Sequence, residues 1–355
     1  MAADLSAFSV EYREAREKFL DAAGAQVSHY AHPEKGLYLD AAVIGARDAE
    51  RVFAVGCGTH GIEGYPGSAA LTHWLRSGVA KRVPPGTAAV LFHAHNPWGF
   101  AHKTRVTEEN VDLNRNFVDF SKPLPPNPGY EEVHRAITPR TWDEPTVSGV
   151  FRWLDEYKKR VGEQAFSDAF NGGQFSHADG VYYGGAREQW ANRAFRLATK
   201  EHLSGAKKIC FIDLHTGIGP RYDHIYLCFH PAGSPGHGRA RAWWGERAVN
   251  RQGVTHKALA VYQGLLIDAF EAMLAKAELT TLVVEFGTLA REGVQRAALL
   301  QRWMRFEGPR QPERARSLVA EYEEAYYPAE ARWRELVLEQ SQELFERGLR
   351  GVSGW

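Results

Sequence analysis

Three cysteines in 355 residues, Cys57, Cys210 and Cys228, are too few and odd in number for a disulfide framework. Each sits in an apolar, strand-like run that suits a small buried thiol, and no C-x-x-C spacing offers a sulfur-ligated zinc finger. Charge of one sign is also lacking. The 43 Lys+Arg balance 43 Asp+Glu, whereas a nucleic-acid surface shows a basic surplus. No apolar run approaches the ~18 residues that cross a bilayer. The opening MAADLSAFSVEYREAREKFLDAA is amphipathic and has no apolar signal core. A G-x-S-x-G elbow is missing, which removes a serine hydrolase of the α/β type. These absences predict a cytoplasmic protein whose partners are neither nucleic acid nor membrane.

What is present is ordinary globular composition, 44% hydrophobic, enough for a large core. Periodicity predicts a helix over 8–23, then strands at Gly36–Ile44, Arg51–Cys57 and 87–94 with a helix at 64–77 between the last two. Further strands are expected at Lys208–Leu214, His224–Phe229 and Thr280–Phe286, with helices at 186–202, 236–252 and 263–276. Short runs of Val, Ile, Leu and Phe alternating with amphipathic helices imply an α/β fold. The expected sheet is mixed, largely parallel and twisted, with helices on both faces. Pro123, Pro125, Pro126, Pro128, Pro139 and Pro145 interrupt the middle, so 118–185 reads as a long excursion over the surface, bordering a site. The charged segment 312–349 reads as helical, with Leu318, Tyr322, Tyr326, Trp333, Leu336 and Leu344 turned inward or toward a second copy in a homo-oligomer.

Two segments carry the chemistry. Gly58-Thr59-His60-Gly61-Ile62-Glu63 follows a strand, at the carboxyl edge where open α/β sheets place their ligands. Residues i and i+3 of a helical turn share a face, so the imidazole of His60 and the carboxylate of Glu63 can converge on one cation. Such a pair also occurs at ordinary helix starts, so a third ligand is needed. His215, closing the apolar strand FIDLHTG, supplies it, and a His, Glu, His set leaves a tetrahedral zinc one open position. His93 and His95 are lesser candidates. Glu285, at the end of the apolar run VVEFG, is a carboxylate whose burial is costly unless it is paired or functional, and a general base fits it. In Asp112-Leu113-Asn114-Arg115-Asn116-Phe117, and in Arg105 before it, planar guanidinium groups suit an anion such as a substrate carboxylate.

These residues resemble the zinc carboxypeptidase superfamily, which includes carboxypeptidase A, murein peptide amidases and the aspartoacylase/succinylglutamate desuccinylase branch. The similarity runs over about residues 50–290, with GTHGIEG, NPWGF, RVTEENVDLNRNF, DLHTG and VVEFGT in the family's order. The likeness is greatest to a little-characterised bacterial group with NVDLNRNF, YYGG and DLHTGIGP. The resemblance implies a single catalytic domain over 1–355, with an insertion around 118–185, and one Zn2+ per chain held by His60, Glu63 and His215. It implies that Glu285 is the base for the attacking water and that Arg105 polarises the scissile carbonyl. Asn114 and Arg115 would clamp a free carboxylate, and Tyr262 stands roughly where a mobile tyrosine caps the substrate. The expected activity is zinc-dependent hydrolysis of an amide bond in a substrate bearing a free carboxylate, such as a small peptide, in the manner of a metallocarboxypeptidase. The alternatives are deacylation of an N-acyl amino acid and a non-catalytic binding protein of the same fold.

Overall fold

A computed structural model describes residues 4–24, 26–249 and 260–355. Seven strands form one sheet: β1 (Val27–Ala31), β2 (Tyr38–Gly45), β3 (Arg51–Cys57), β4 (Thr87–His93), β5 (Lys208–Gly217), β6 (His224–Leu227) and β7 (Glu278–Gly287). Their spatial order is β1-β2-β4-β3-β5-β7-β6. The central four are parallel, while β1, β2 and β6 add antiparallel edges. The mixed, largely parallel sheet expected from the apolar runs is the one observed. Strand β3 runs into the crossover leading to β4 on one side, and its other neighbour is β5. Its carboxyl end is therefore the switch point where such sheets open a crevice.

Helices cover both faces and divide the core in two. One face packs Phe53, Val55, Leu91 and Ile212 against the helices Gly64–Arg76 and Ala331–Ser353; the other packs Phe92, Phe211 and Ile209 against Trp190–Leu203 and Leu266–Met273. The long C-terminal helix thus faces inward: Trp333, Val337, Leu344 and Phe345 are buried, with Leu336 half-buried.

Three sequence expectations change. Strand β1 was not anticipated; it is a short edge strand whose residues are all half-exposed or exposed, so it carries no apolar signature. The 118–185 excursion contains three helices, Tyr130–Ile137, Glu144–Val161 and Glu163–Asn171. The prolines misled: Asp143 caps the second of these by accepting from Thr146 N, and Pro145 sits in its first turn, where the missing N–H costs nothing. The helix expected over 236–252 is Pro235–Trp244, stopped by Gly245 at φ 87°; residues 250–252 lie outside the described ones.

Candidate metal centre and anion site

Strand β3 ends at Cys57, and the chain then turns through Gly58 at φ 71°, where the left-handed backbone favours glycine. His60 is extended, and Gly61–Glu63 form one 3-10 turn leading into the helix Gly64–Arg76. The NPWGF segment holds this turn in place. His95 N donates to Cys57 O and Asn96 N to Gly58 O, both at 2.9 Å. Asn96 caps its own short helix by accepting from Gly99 N. Gly61 lies so close to that helix that an added Cβ would fall 2.0 Å from Gly99 C.

His60, Glu63 and His215 meet, as expected. His60 Nδ1 lies 2.9 Å from Glu63 Oε1, His215 Nδ1 lies 3.1 Å from Glu63 Oε2, and the two Nδ1 atoms are 3.1 Å apart. All three residues are buried. The donor set fits a tetrahedral zinc, because two imidazole nitrogens each about 2.0–2.1 Å from the ion stand roughly 3.3 Å apart. Two further buried carboxylates, which sequence reasoning passed over, back the histidines. Asp213 Oδ2 is 2.7 Å from His215 Nε2, and Asp112 Oδ1 is 3.2 Å from His60 Nε2. A carboxylate on the far nitrogen of a metal-binding histidine fixes its tautomer and orientation. Strand alternation was the available signal for Asp213, which shares a face with His215 two residues on. Thr59 Oγ1 donates to Asp213 and lies 2.8 Å from His95 Nδ1. His93 and His95 stay outside the cluster: His93 stacks on Phe19 and meets Ser68, and His95 packs against Gly56.

The charges are strongly coupled. Burial alone would raise the Glu63 and Asp112 carboxyls, but His60 and His215 hold the first, and Arg105 and His60 the second, well below the usual range. Burial disfavours a charged His215, yet Asp213 and Glu63 push it well above the ordinary histidine value. Glu285 behaves oppositely. It is the register partner of His215 on β7, only 7% exposed, and its Oε2 has no hydrogen-bond partner. Burial pushes it up to about 7, with the charge of Glu63 adding and those of His215, His60 and Arg105 opposing.

Arg105 reaches Glu63 Oε1 at 3.1 Å and Asp112 Oδ2 at 3.2 Å, and its Nη2 lies 2.6 Å from His60 Nε2. A bare Nε2 suits Arg105 and a protonated one suits Asp112, so the tautomer decides which group the ring engages. Arg115 is 4% exposed; it donates to Asn114 O and Asn171 O, and its Nε is unpartnered. Asn114 Oδ1 accepts from Leu266 N. Tyr262 lies beside Arg115, whose guanidinium is 4.8 Å from its ring centre. Tyr182, from YYGG, lies between both arginines, 5.6 Å from Arg105 and 5.7 Å from Arg115, on a backbone at φ 53°. A non-glycine residue held there is strained, and such strain collects at functional sites. Asn116 fastens this loop by donating to Gly184 O and Arg187 O.

A family model described as "Protein of unknown function (DUF2817)" matches residues 8–340. The chain belongs to that family. No curated protein matches it. Among solved structures, the chain is similar to bovine thrombin-activatable fibrinolysis inhibitor in complex with tick carboxypeptidase inhibitor. That match has 11% identity over 99% of each chain and a TM-score of 0.51. A second structure of thrombin-activatable fibrinolysis inhibitor matches at 11% identity over 97% of this chain and 75% of that one, with a TM-score of 0.50. Carboxypeptidase A from Helicoverpa armigera matches at 14% identity, 87% and 72% coverage and a TM-score of 0.44. These likenesses show a carboxypeptidase-like α/β fold.

Proposed function

We propose that this protein is a zinc-dependent hydrolase that cleaves an amide bond in a short peptide bearing a free carboxylate. One observation carries the reading: two imidazoles and a carboxylate converge within ligand distance beside Glu285, a buried carboxyl with an unpartnered oxygen. His60, Glu63 and His215 would hold the metal, which when bound supplies Lewis acidity to a water and to an amide carbonyl. Glu285 would take the water's proton on Oε2 and return it to the leaving amine. The guanidinium of Arg105 would stabilise the negative oxygen that develops at the scissile carbon. Arg115, with three of its five N–H groups uncommitted, and Asn114 would grip the substrate carboxylate, with Tyr262 lying over them.

The test is an assay of the zinc-loaded protein and its Glu285→Gln variant against short peptides and, in parallel, N-acyl amino acids. Hydrolysis of a peptide by the wild type, abolished in a variant that keeps its zinc, supports the proposal. Turnover of N-acyl amino acids alone reassigns the substrate to a deacylase. Near-normal hydrolysis by Glu285→Gln removes Glu285 as the base.

A further inference from the structure

The insertion carries a second group of metal-ligating side chains that the hydrolase reading does not use: His134, on the helix Tyr130–Ile137, with His177 and Asp179 on the loop after Asn171. Their imidazole rings stack with centroids 3.8 Å apart. His134 Nε2 lies 3.0 Å from Asp179 Oδ1, and His177 Nε2 lies 2.8 Å from Glu131 Oε2. We propose that His134, His177 and Asp179, with Glu131 as a fourth ligand, form a second divalent-metal site of the zinc, nickel or copper class. The proposal is independent of the hydrolase reading.

The scaffold under these side chains is preformed. Gln174 is fully buried; its Oε1 accepts from Ser176 N and His177 N, and its Nε2 donates to His177 O, which fixes the loop that presents His177. Arg302, also buried, donates through Nη2 to Asp179 Oδ2 and through Nε to Asp179 O, each at 2.9 Å. Asp179 is thereby oriented with Oδ1 left toward His134, the outer support a ligating carboxylate ordinarily has. The cluster holds two carboxylates, Asp179 and Glu131, and one guanidinium, that of Arg302 on Asp179, so the local balance favours a cation. The ligand atoms of the three residues lie within 4.8 Å of one another, and the rings are inclined by only 16°. Coordination therefore requires the half-exposed rings to turn about χ2, a soft sp³–sp² torsion. Two imidazoles with carboxylates suit a borderline first-row ion better than calcium or magnesium, which prefer oxygen alone. A metal there would tie the loop just before Tyr182 to the helix Tyr130–Ile137, and so stiffen the segment that lies between Arg105 and Arg115.

The test counts zinc. Full-length protein stripped with chelator is dialysed against micromolar free zinc, and bound metal is measured by emission spectrometry. Wild type should carry one more zinc per chain than His134→Ala/His177→Ala, whatever the central site holds. If the double variant fails to fold, Glu131→Gln/Asp179→Asn keeps both rings and should show the same loss. Equal zinc content in wild type and folded variants overturns the proposal, as does a difference that emerges only at millimolar zinc, which marks adventitious binding.

Discussion

At the scale of single residues, the site depends on where charge is left unpaired. Arg115 is anchored: two donors are fixed to Asn114 O and Asn171 O, and its guanidinium lies over the Tyr262 ring. Lysine offers a point charge with no fork, so Arg115→Lys would lose both backbone anchors and the bidentate grip. A lost charge-assisted bond is worth about 1.5–3 kcal/mol, so KM for a carboxylate substrate should rise roughly 10–100-fold. The rise should exceed any fall in kcat, and an unchanged KM would move the carboxylate elsewhere. Asp213 makes a separate case. Replacing it by Asn leaves shape intact but removes the charge bonded to His215 Nε2, and such outer partners contribute about 10–100-fold in metal affinity. Zinc titration of Asp213→Asn in competition with a chelator measures this directly, and unaltered affinity would leave the carboxylate with no part in holding metal.

At the scale of elements, the helix Gly64–Arg76 has to lie close to β3 for His60 and Glu63 to reach the sheet edge. Gly67 permits that approach, since a Cβ there would fall 2.4 Å from Cys57 Cβ. Gly149, on the exposed face of the helix Glu144–Val161, has nothing within 4 Å of its added Cβ. The same substitution should therefore change sign. Gly149→Ala should stabilise by about 0.5–1 kcal/mol through helix propensity. Gly67→Ala should destabilise by about 1–3 kcal/mol through overpacking and weaken metal binding as the turn shifts. Urea denaturation of both variants decides, and equal signs would contradict the packing account. The sequence marked this turn through its run of glycines, but which of them meets a backbone and which a side chain is a property of the packed elements.

At the scale of the whole molecule, acid sensitivity should follow from buried neutral histidines. Burial holds His93 down to about 4, against an ordinary 6.5. Between those pH values the unfolded chain binds a proton that the fold refuses. The stabilising contribution is complete above pH 6.5 and falls as pH drops toward 4. At ~1.36 kcal/mol per pKa unit, the loss is at most a few kcal/mol. In His93→Phe, which keeps the stack on Phe19, the dependence of unfolding free energy on pH between 6.5 and 4 should be shallower. An unchanged slope would locate the acid lability in other groups. Among the described residues no helix is long and apolar enough to cross a membrane, in line with the absence of such a run in the sequence.

Apolar runs of fixed length determined the sheet and its parallel centre, because a strand buried on both faces has little freedom to contain polar residues. Motif order likewise located His60, Glu63 and His215 at strand ends, where the topology brings them together. The helices within 118–185 and the strand β1 were hidden, since prolines at helix starts look like breakers and a half-exposed edge strand has no apolar pattern. Only the tertiary structure decided that Asp112 and Asp213 back the two histidines, that Tyr182 lies between the arginines, and that Glu285 keeps an oxygen free. Each of these depends on side chains from distant segments meeting where the elements pack together. Local pattern places a residue on an element, but the neighbours it finds there come from how the elements pack.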